Sequence, residues 1–177
     1  MRKLTMSELN RMDVEEYRNV EKLPIVIVLD NIRSLSNVGS FFRTADAFRI
    51  ETLFLCGITA CPPHREIHKT ALGADDSVQW RYFKTTVEAC ECLKNAGYTI
   101  FAVEQVENSV MLDDFIVPQK SAYIFGNEVD GIDDALLPYC TQAVEIPQMG
   151  TKHSLNVSVC AGIVMYRIFA SLHHLLS

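Results

Sequence analysis

The chain has 177 residues, 49% of them apolar, with 16 Lys and Arg against 22 Asp and Glu for a formal net charge of −6. That length fits one domain of roughly 100–200 residues, and the apolar share excludes a disordered or low-complexity chain. The acidic balance argues against non-specific coating of nucleic acid, which needs clustered Lys and Arg, while leaving room for a local basic patch or one assembled from two chains.

Thr5 with Glu8 has the form of a capping box, and Leu4 with Leu9 that of its hydrophobic staple, so a short helix or helix pair is expected to run to about Glu21 and stop at Pro24. Ile25-Val26-Ile27-Val28-Leu29 is the continuous β-branched run of a strand buried on both faces. A loop over 30–36 then leads to a helix over 37–48. A second short strand covers 52–55, and Pro62-Pro63 opens a turn before a helix ending near Gly73. Strands are expected over 78–83 and 98–103, around a helix over 86–95 closed by Gly97. Two more cover 122–125 and 143–146, separated by a turn over 126–131 and a short helix through Leu137. Strands alternating with helices specify an α/β three-layer domain with a parallel sheet. We expect an N-terminal helical arm over 1–23 and the sheet domain over 24–177.

The last helix, over 155–176, is apolar nearly all round. Leu155, Val159, Ile163, Tyr166 and Ala170 fall on one face, and Val157, Val164, Ile168 and Leu172 occupy others. Such a helix must be covered on both sides, and in so small a domain the second cover is expected to be another subunit. No apolar run reaches the ~20 residues of a membrane span. Met1-Arg2-Lys3-Leu4 lacks a signal-peptide core, so a cytoplasmic protein is expected. Cys56, Cys61, Cys90, Cys92, Cys140 and Cys160 are scattered through mostly apolar segments and read as reduced core residues.

Three segments share one build, an apolar run breaking into a Gly- or Asn-containing turn: 37–43, 125–132 and 146–159. In the third, Pro147 and Gly150 end a strand and Ser154 and Asn156 open the long helix. Free amides at a helix start, beside polar side chains, suit a small polar ligand, and ligands of open α/β sheets bind outside the carboxyl ends of strands. Neither a G-x-G-x-x-G turn after a strand nor a P-loop is present. His64 and His68 lack the partners of a zinc site and read as a solvated helix face. Cys90 and Cys92 point to different sides of a helix, and Asn156-Val157-Ser158 is a glycosylation sequon in form only. The remaining constellation is Asn37, Arg43, Gly126-Asn127-Glu128, Gly131 and Ser154-Leu155-Asn156. Asn37 is expected to cap its helix and Arg43 to project from the second turn, where its plain alternative is an ion pair with Asp46 or another acid.

Across residues 25–170 the chain resembles the SpoU/TrmH branch of the SPOUT RNA methyltransferases. Motif one is Asp30-Asn31-Ile32-Arg33-Ser34-Leu35-Ser36-Asn37-Val38-Gly39-Ser40-Phe41-Phe42-Arg43-Thr44-Ala45-Asp46-Ala47. Motif two is Ile124-Phe125-Gly126-Asn127-Glu128-Val129-Asp130-Gly131-Ile132, and motif three is the 146–159 stretch. The resemblance implies a C-terminal trefoil knot, a homodimer sealed partly by the last helix, S-adenosylmethionine as methyl donor and no metal. The acceptor is then a ribose 2′-hydroxyl of RNA, with transfer RNA favoured over ribosomal RNA. It implies a catalytic set of Arg43, Asn37, Glu128, Ser154 and Asn156. The donor would be held around Val103, Glu104, Gly126, Asn127, Ile146, Met149, Ser154 and Leu155, largely through backbone groups. A ribose hydroxyl is a poor nucleophile, so the chain must orient the reactants in line and help remove a proton. An arginine stays protonated above pH ~12, so we expect Arg43 to clamp a substrate phosphate that takes the proton rather than to act as the base. His153 stands where relatives often carry an acid or Arg, and the arm over 2–22 is short for the family. Two other readings of the same chain are an idle RNA-binding or cofactor-sensing knot dimer and a knot-fold enzyme that methylates a base.

Overall fold

The computed structural model describes residues 1–5 and 7–176. Met6, inside the expected N-terminal helix, and Ser177, the end of the expected domain, lie outside the described residues. Seven strands form one wholly parallel sheet: β1 (Leu23–Asp30), β2 (Ile50–Cys56), β3 (Gln79–Phe83), β4 (Thr99–Val103), β5 (Val110–Met111), β6 (Ser121–Phe125) and β7 (Gln142–Glu145). Their order is β3-β2-β1-β6-β4-β7-β5. The first three strands step outward in one direction and the rest lie on the other side, with β6 inserted between β1 and β4. This order sets the loops after β1 and β6 side by side, next to those after β4 and β7.

Alternation along β1 divides the core. Ile25, Ile27 and Leu29 pack on one face of the sheet with α2 (Leu35–Ala47), α3 (Arg65–Ala71), α4 (Ala74–Ser77) and α6 (Val157–Leu172). Val26 and Val28 pack on the other with α5 (Thr86–Asn95) and the 3₁₀ helix Asp134–Tyr139. The expected three-layer α/β arrangement is therefore present, with strand ends shifted by at most two residues. β5, a two-residue edge strand paired with β7, carries no sequence signal of its own.

The N-terminal expectation needs correction. Thr5 and Glu8 do interact, the Thr5 amide donating to the Glu8 carboxylate at 2.8 Å, but they close only the 3₁₀ turn Ser7–Leu9. Asn10, at φ 45°, breaks the turn, and the supposed staple pair is exposed, Leu4 by 59% and Leu9 by 38%. Among the described residues the arm's α-helix, α1 (Val14–Asn19), is instead started by a reciprocal box between Asp13 and Glu16. Pro24 lies within β1 rather than before it, where the register with β2 shifts and no ladder amide is missed.

α2 and α6 run side by side in the same sense. Asn37 meets Asn156 near their starts, and Phe48, just past α2, meets Tyr166 and Phe169 of α6 at ring separations of 5.9 and 5.3 Å. Ala161, Val164, Met165, Ile168 and Leu172 of α6 are buried. The face expected to need a second cover is open: Val159 is 52% and Tyr166 61% exposed, with Leu155 and Ile163 beside them. By length and composition alone Val157–Leu175 is apolar enough to cross a membrane, as a core helix can be. Arg167 interrupts its apolar run, as expected, and is folded back onto the carbonyls of Leu112 and Phe115.

The turn after β6 doubles back on itself, Asn127 and Gly131 exchanging backbone hydrogen bonds of 3.0 and 3.1 Å. A Cβ on Gly126 would overlap the Gly131 carbonyl and the Ile132 amide. Gly126→Ala should therefore cost about 2–3 kcal/mol, the scale of overpacking, and lower the Tm by several degrees in a thermal melt. Gly150→Ala, where a Cβ meets nothing, should leave the Tm unchanged.

Candidate functional site

Motif one enters through the start of α2. Ser34, not Asn37, is the N-cap, its hydroxyl accepting from the Asn37 amide at 3.3 Å. Asn37 is thereby the third helical residue, 7% exposed, with its side chain turned into the protein. Its Nδ2 donates to Glu128 Oε1 at 2.8 Å, and its Oδ1 accepts from Asn156 Nδ2 at 3.3 Å. Glu128 also accepts from the backbone amides of Arg33 and Ser34 at 3.1 and 3.2 Å, so an anion sits against amides that the helix start leaves unpaired. Asn156 N-caps α6, its Oδ1 accepting from the amides of Ser158 and Val159. One buried amide side chain thus ties together the three segments singled out in the sequence.

Burial alone would raise the Glu128 carboxyl pKa. The hydrogen bonds from Asn37 and from the Arg33 and Ser34 backbone outweigh it and hold the group below the usual carboxylate range. Glu128 is therefore a fixed anion and a poor proton acceptor.

This junction closes one end of a cleft of about 670 Å³ at the carboxyl ends of β4, β6 and β7, within the ordinary size of a small-molecule site. Val103, Glu104, Gly126, Asn127, Ile146, Ser154 and Leu155 all line it, as do Glu128 and Asn156. Met149 does not: it is fully exposed on the loop after β7. Glu104 shapes the wall by accepting from the amides of Ile132 and Gln105, and Gln105 Nε2 donates to the His153 carbonyl at 2.9 Å. Five carboxylates (Glu104, Glu128, Asp130, Asp134 and Glu145) and no Lys or Arg stand among the lining residues. That donor set favours a cationic ligand.

Arg43 is elsewhere. Six helical positions beyond Asn37 carry it ~9 Å along the axis and about 240° around it, onto the exposed face of α2. Among the described residues it has no hydrogen-bond or ion-pair partner, and its expected alternative fails because Asp46 accepts from Ser77 Oγ at 2.6 Å instead. Sequence reasoning missed Ser34, whose place before an apolar helix was the available signal. It also missed Arg33, which reaches Asp130 at 3.7 Å across the cleft mouth. His64 is an N-cap for α3 through Nδ1, and His68 pairs with Asp75 at 3.0 Å, which raises its pKa. Burial pushes the Cys56, Cys90 and Cys160 thiols up to about 12, as inert core groups.

A model of the SpoU rRNA methylase family matches residues 24–166. A 23S rRNA (guanosine-2′-O-)-methyltransferase of Neisseria meningitidis is 29% identical over 88% of this chain and 62% of its own length. A tRNA (guanosine(18)-2′-O)-methyltransferase of Thermus thermophilus is 27% identical over 90% of this chain and 81% of its own. The chain spans about three fifths of the first relative. In fold it is similar to an AdoMet-bound rRNA methyltransferase of Sinorhizobium meliloti, with a TM-score of 0.78 and 24% identity over 93% of this chain and 60% of that one.

Asn37→Ala should destabilise the fold by about 1–3 kcal/mol in denaturant unfolding, because it leaves Asn156 and a charged Glu128 without their shared partner. The depressed Glu128 pKa carries a pH dependence of known sign. Its stabilisation is complete above the ordinary Glu value of ~4.3 and is lost as pH falls through the lower folded value. The stability gap between the parent chain and Glu128→Gln, followed by denaturant unfolding, should accordingly narrow on acidification through that range.

Proposed function

The chain belongs to the SpoU rRNA methylase family, and on that premise we propose that it is a dimeric RNA (ribose-2′-O)-methyltransferase using S-adenosylmethionine. The single observation that carries the reading is the Glu128–Asn37–Asn156 junction closing an acid-lined cleft. The residues present fit that donor. The carboxylates suit a molecule bearing a sulfonium and an ammonium, and Val103, Ile132, Ile146 and Leu155 offer apolar walls for an adenine. Gly126, Ile146, Ser154 and Leu155 would hold it in large part through backbone groups, on a chain threaded as the family's knot. When bound, it supplies a methyl group carried on a cationic sulfur.

This chain's own contribution is orientation, charge and proton management. Glu128 and Asn156, locked through Asn37, fix the cleft wall against which the ribose is set. Ser154, two residues before the α6 cap and exposed at the cleft, is free to contact ribose or donor. As the ribose oxygen takes the methyl group, its hydroxyl proton must leave, and Glu128 is poorly placed to take it because both its oxygens already accept from Asn37 and from the Arg33 and Ser34 amides. We assign Arg43 to an RNA phosphate, which helps pass that proton on to solvent.

The same surface supports a dimer. Arg43 lies level with the middle of α6, whose exposed apolar stripe runs from Leu155 to Tyr166. A second copy covering that stripe covers the face beside Arg43 as well and brings the guanidinium into the assembled site. Between RNA classes we propose transfer RNA, the class named for the Thermus thermophilus relative. The cytoplasm is the matching compartment.

Arg43→Ala should retain S-adenosylmethionine binding within a few fold by calorimetry while methyl transfer to RNA falls by ~10² or more; unchanged turnover removes Arg43 from the site. Ile163→Asp should shift the chain to a monomer in sedimentation, and activity should fall with the dimer. A chain that sediments as a monomer before substitution contradicts the assembly.

A further inference from the structure

The carboxyl edge of the sheet divides by charge. Loops after β4, β6 and β7 bring Glu104, Glu128, Asp130 and Glu145 to the cleft. Loops after β1, β2 and β3 (residues 31–34, 57–64 and 84–85) contain no Asp or Glu and carry Arg33, His64 and Lys84. Backbone and side-chain hydrogen bonds stitch these three loops into one ledge. The Ile58 amide donates to Asn31 Oδ1 at 3.1 Å, the Gly57 amide to the Phe83 carbonyl at 3.1 Å, and Tyr82 Oη to the Gly57 carbonyl at 3.1 Å.

Two features make the ledge unlike ordinary loop surface. Tyr82 is 51% exposed although its hydroxyl is anchored, so a ring face is presented to solvent in a fixed orientation, beside Ile58 at 65%. The cations stand at its two ends: Arg33 at the cleft mouth, and Lys84, which has no hydrogen-bond or ion-pair partner among the described residues. From β6 across to β3 the ledge spans three strand spacings, ~14 Å, the reach of a few unstacked nucleotides. The N-termini of α2 and α5 face the same edge and add positive partial charge.

We propose that this ledge seats the single-stranded RNA flanking the ribose in the cleft, with Tyr82 stacking on a base and Arg33 and Lys84 meeting phosphates. The proposal rests on the methyltransferase reading of the cleft. Single-stranded RNA is held by aromatic faces together with cations that track the backbone, and the acid-lined half of the edge repels phosphate. The backbone is thereby directed over β1, β2 and β3. The exposed Arg33–Asp130 pair is a weak interaction, so a phosphate displaces Asp130 at little cost.

The test uses the full chain, a fluorescein-labelled single-stranded oligouridylate and anisotropy, with S-adenosylmethionine binding measured on the same samples. Tyr82→Ala should weaken the oligonucleotide at least ~5-fold, Tyr82→Phe by less than twofold, and Lys84→Gln should lower the salt slope by about 0.7. Donor binding should stay unchanged in all three, and the melting temperature should fall by no more than a few degrees in the Tyr82 variants, which lose the bond to the Gly57 carbonyl. A parent chain that ignores the oligonucleotide, a Tyr82→Ala variant that binds normally, or a Phe variant as weak as Ala overturns the ledge. If donor binding persists in those cases, the ledge alone falls; a chain that binds neither probe sinks the methyltransferase reading as well.

Discussion

The arrangement depends on one buried amide side chain. Asn37 donates to a carboxylate from the β6 turn and accepts from the cap of the last helix, and through these bonds three distant segments share one position. None of the bonds is exceptional alone, since a hydrogen bond to a charged group contributes about 1.5–3 kcal/mol and a neutral one about 1. Their joint effect is geometric. The start of α2, the doubled-back turn at 126–131 and the start of α6 cannot move independently, and the cleft lies among them. Gly126 and Gly131 allow the turn to approach Glu104 and the strand end so closely.

The same carboxylate illustrates how position assigns chemistry. An isolated glutamate at a loop tip would be a candidate base. Glu128 is surrounded by donors, including two amides at the start of α2, and those donors hold it ionised. It therefore serves as an anchor and as part of an acidic wall suited to a cationic ligand, while the cations Arg33, Arg43 and Lys84 stand outside the cleft. A formal charge of −6 is compatible with RNA chemistry when the acids and bases are segregated in this way.

Much of this was legible in the residues and some was not. The β-branched run of β1 was readable because burial on both faces leaves a continuous apolar pattern, and the helix over 86–95 and α6 were readable from the helical spacing of their apolar residues. The open stripe on α6 is the very face that the heptad-like spacing from Leu155 to Tyr166 picks out. The junction was legible only as three suspicious loops, because their meeting is set by strand order, and nothing local in sequence announces that β6 inserts between β1 and β4. Capping was misplaced at α2, where Ser34 takes the cap three residues before Asn37, and in the arm, where Thr5 with Glu8 closes only a 3₁₀ turn and Asp13 caps the α-helix. Arg43 and Asn37 share a motif and a helix but not a direction, which 3.6 residues per turn dictates.

The most direct test of the central claim is chemical. The protein is incubated with methyl-labelled S-adenosylmethionine and RNA, and the RNA is then hydrolysed with alkali and digested to nucleosides. Label in alkali-resistant dinucleotides and in 2′-O-methylated nucleosides is the predicted result, abolished with the Asn37 junction. Label on a base, or no transfer at all from a chain that folds and dimerises, contradicts the account.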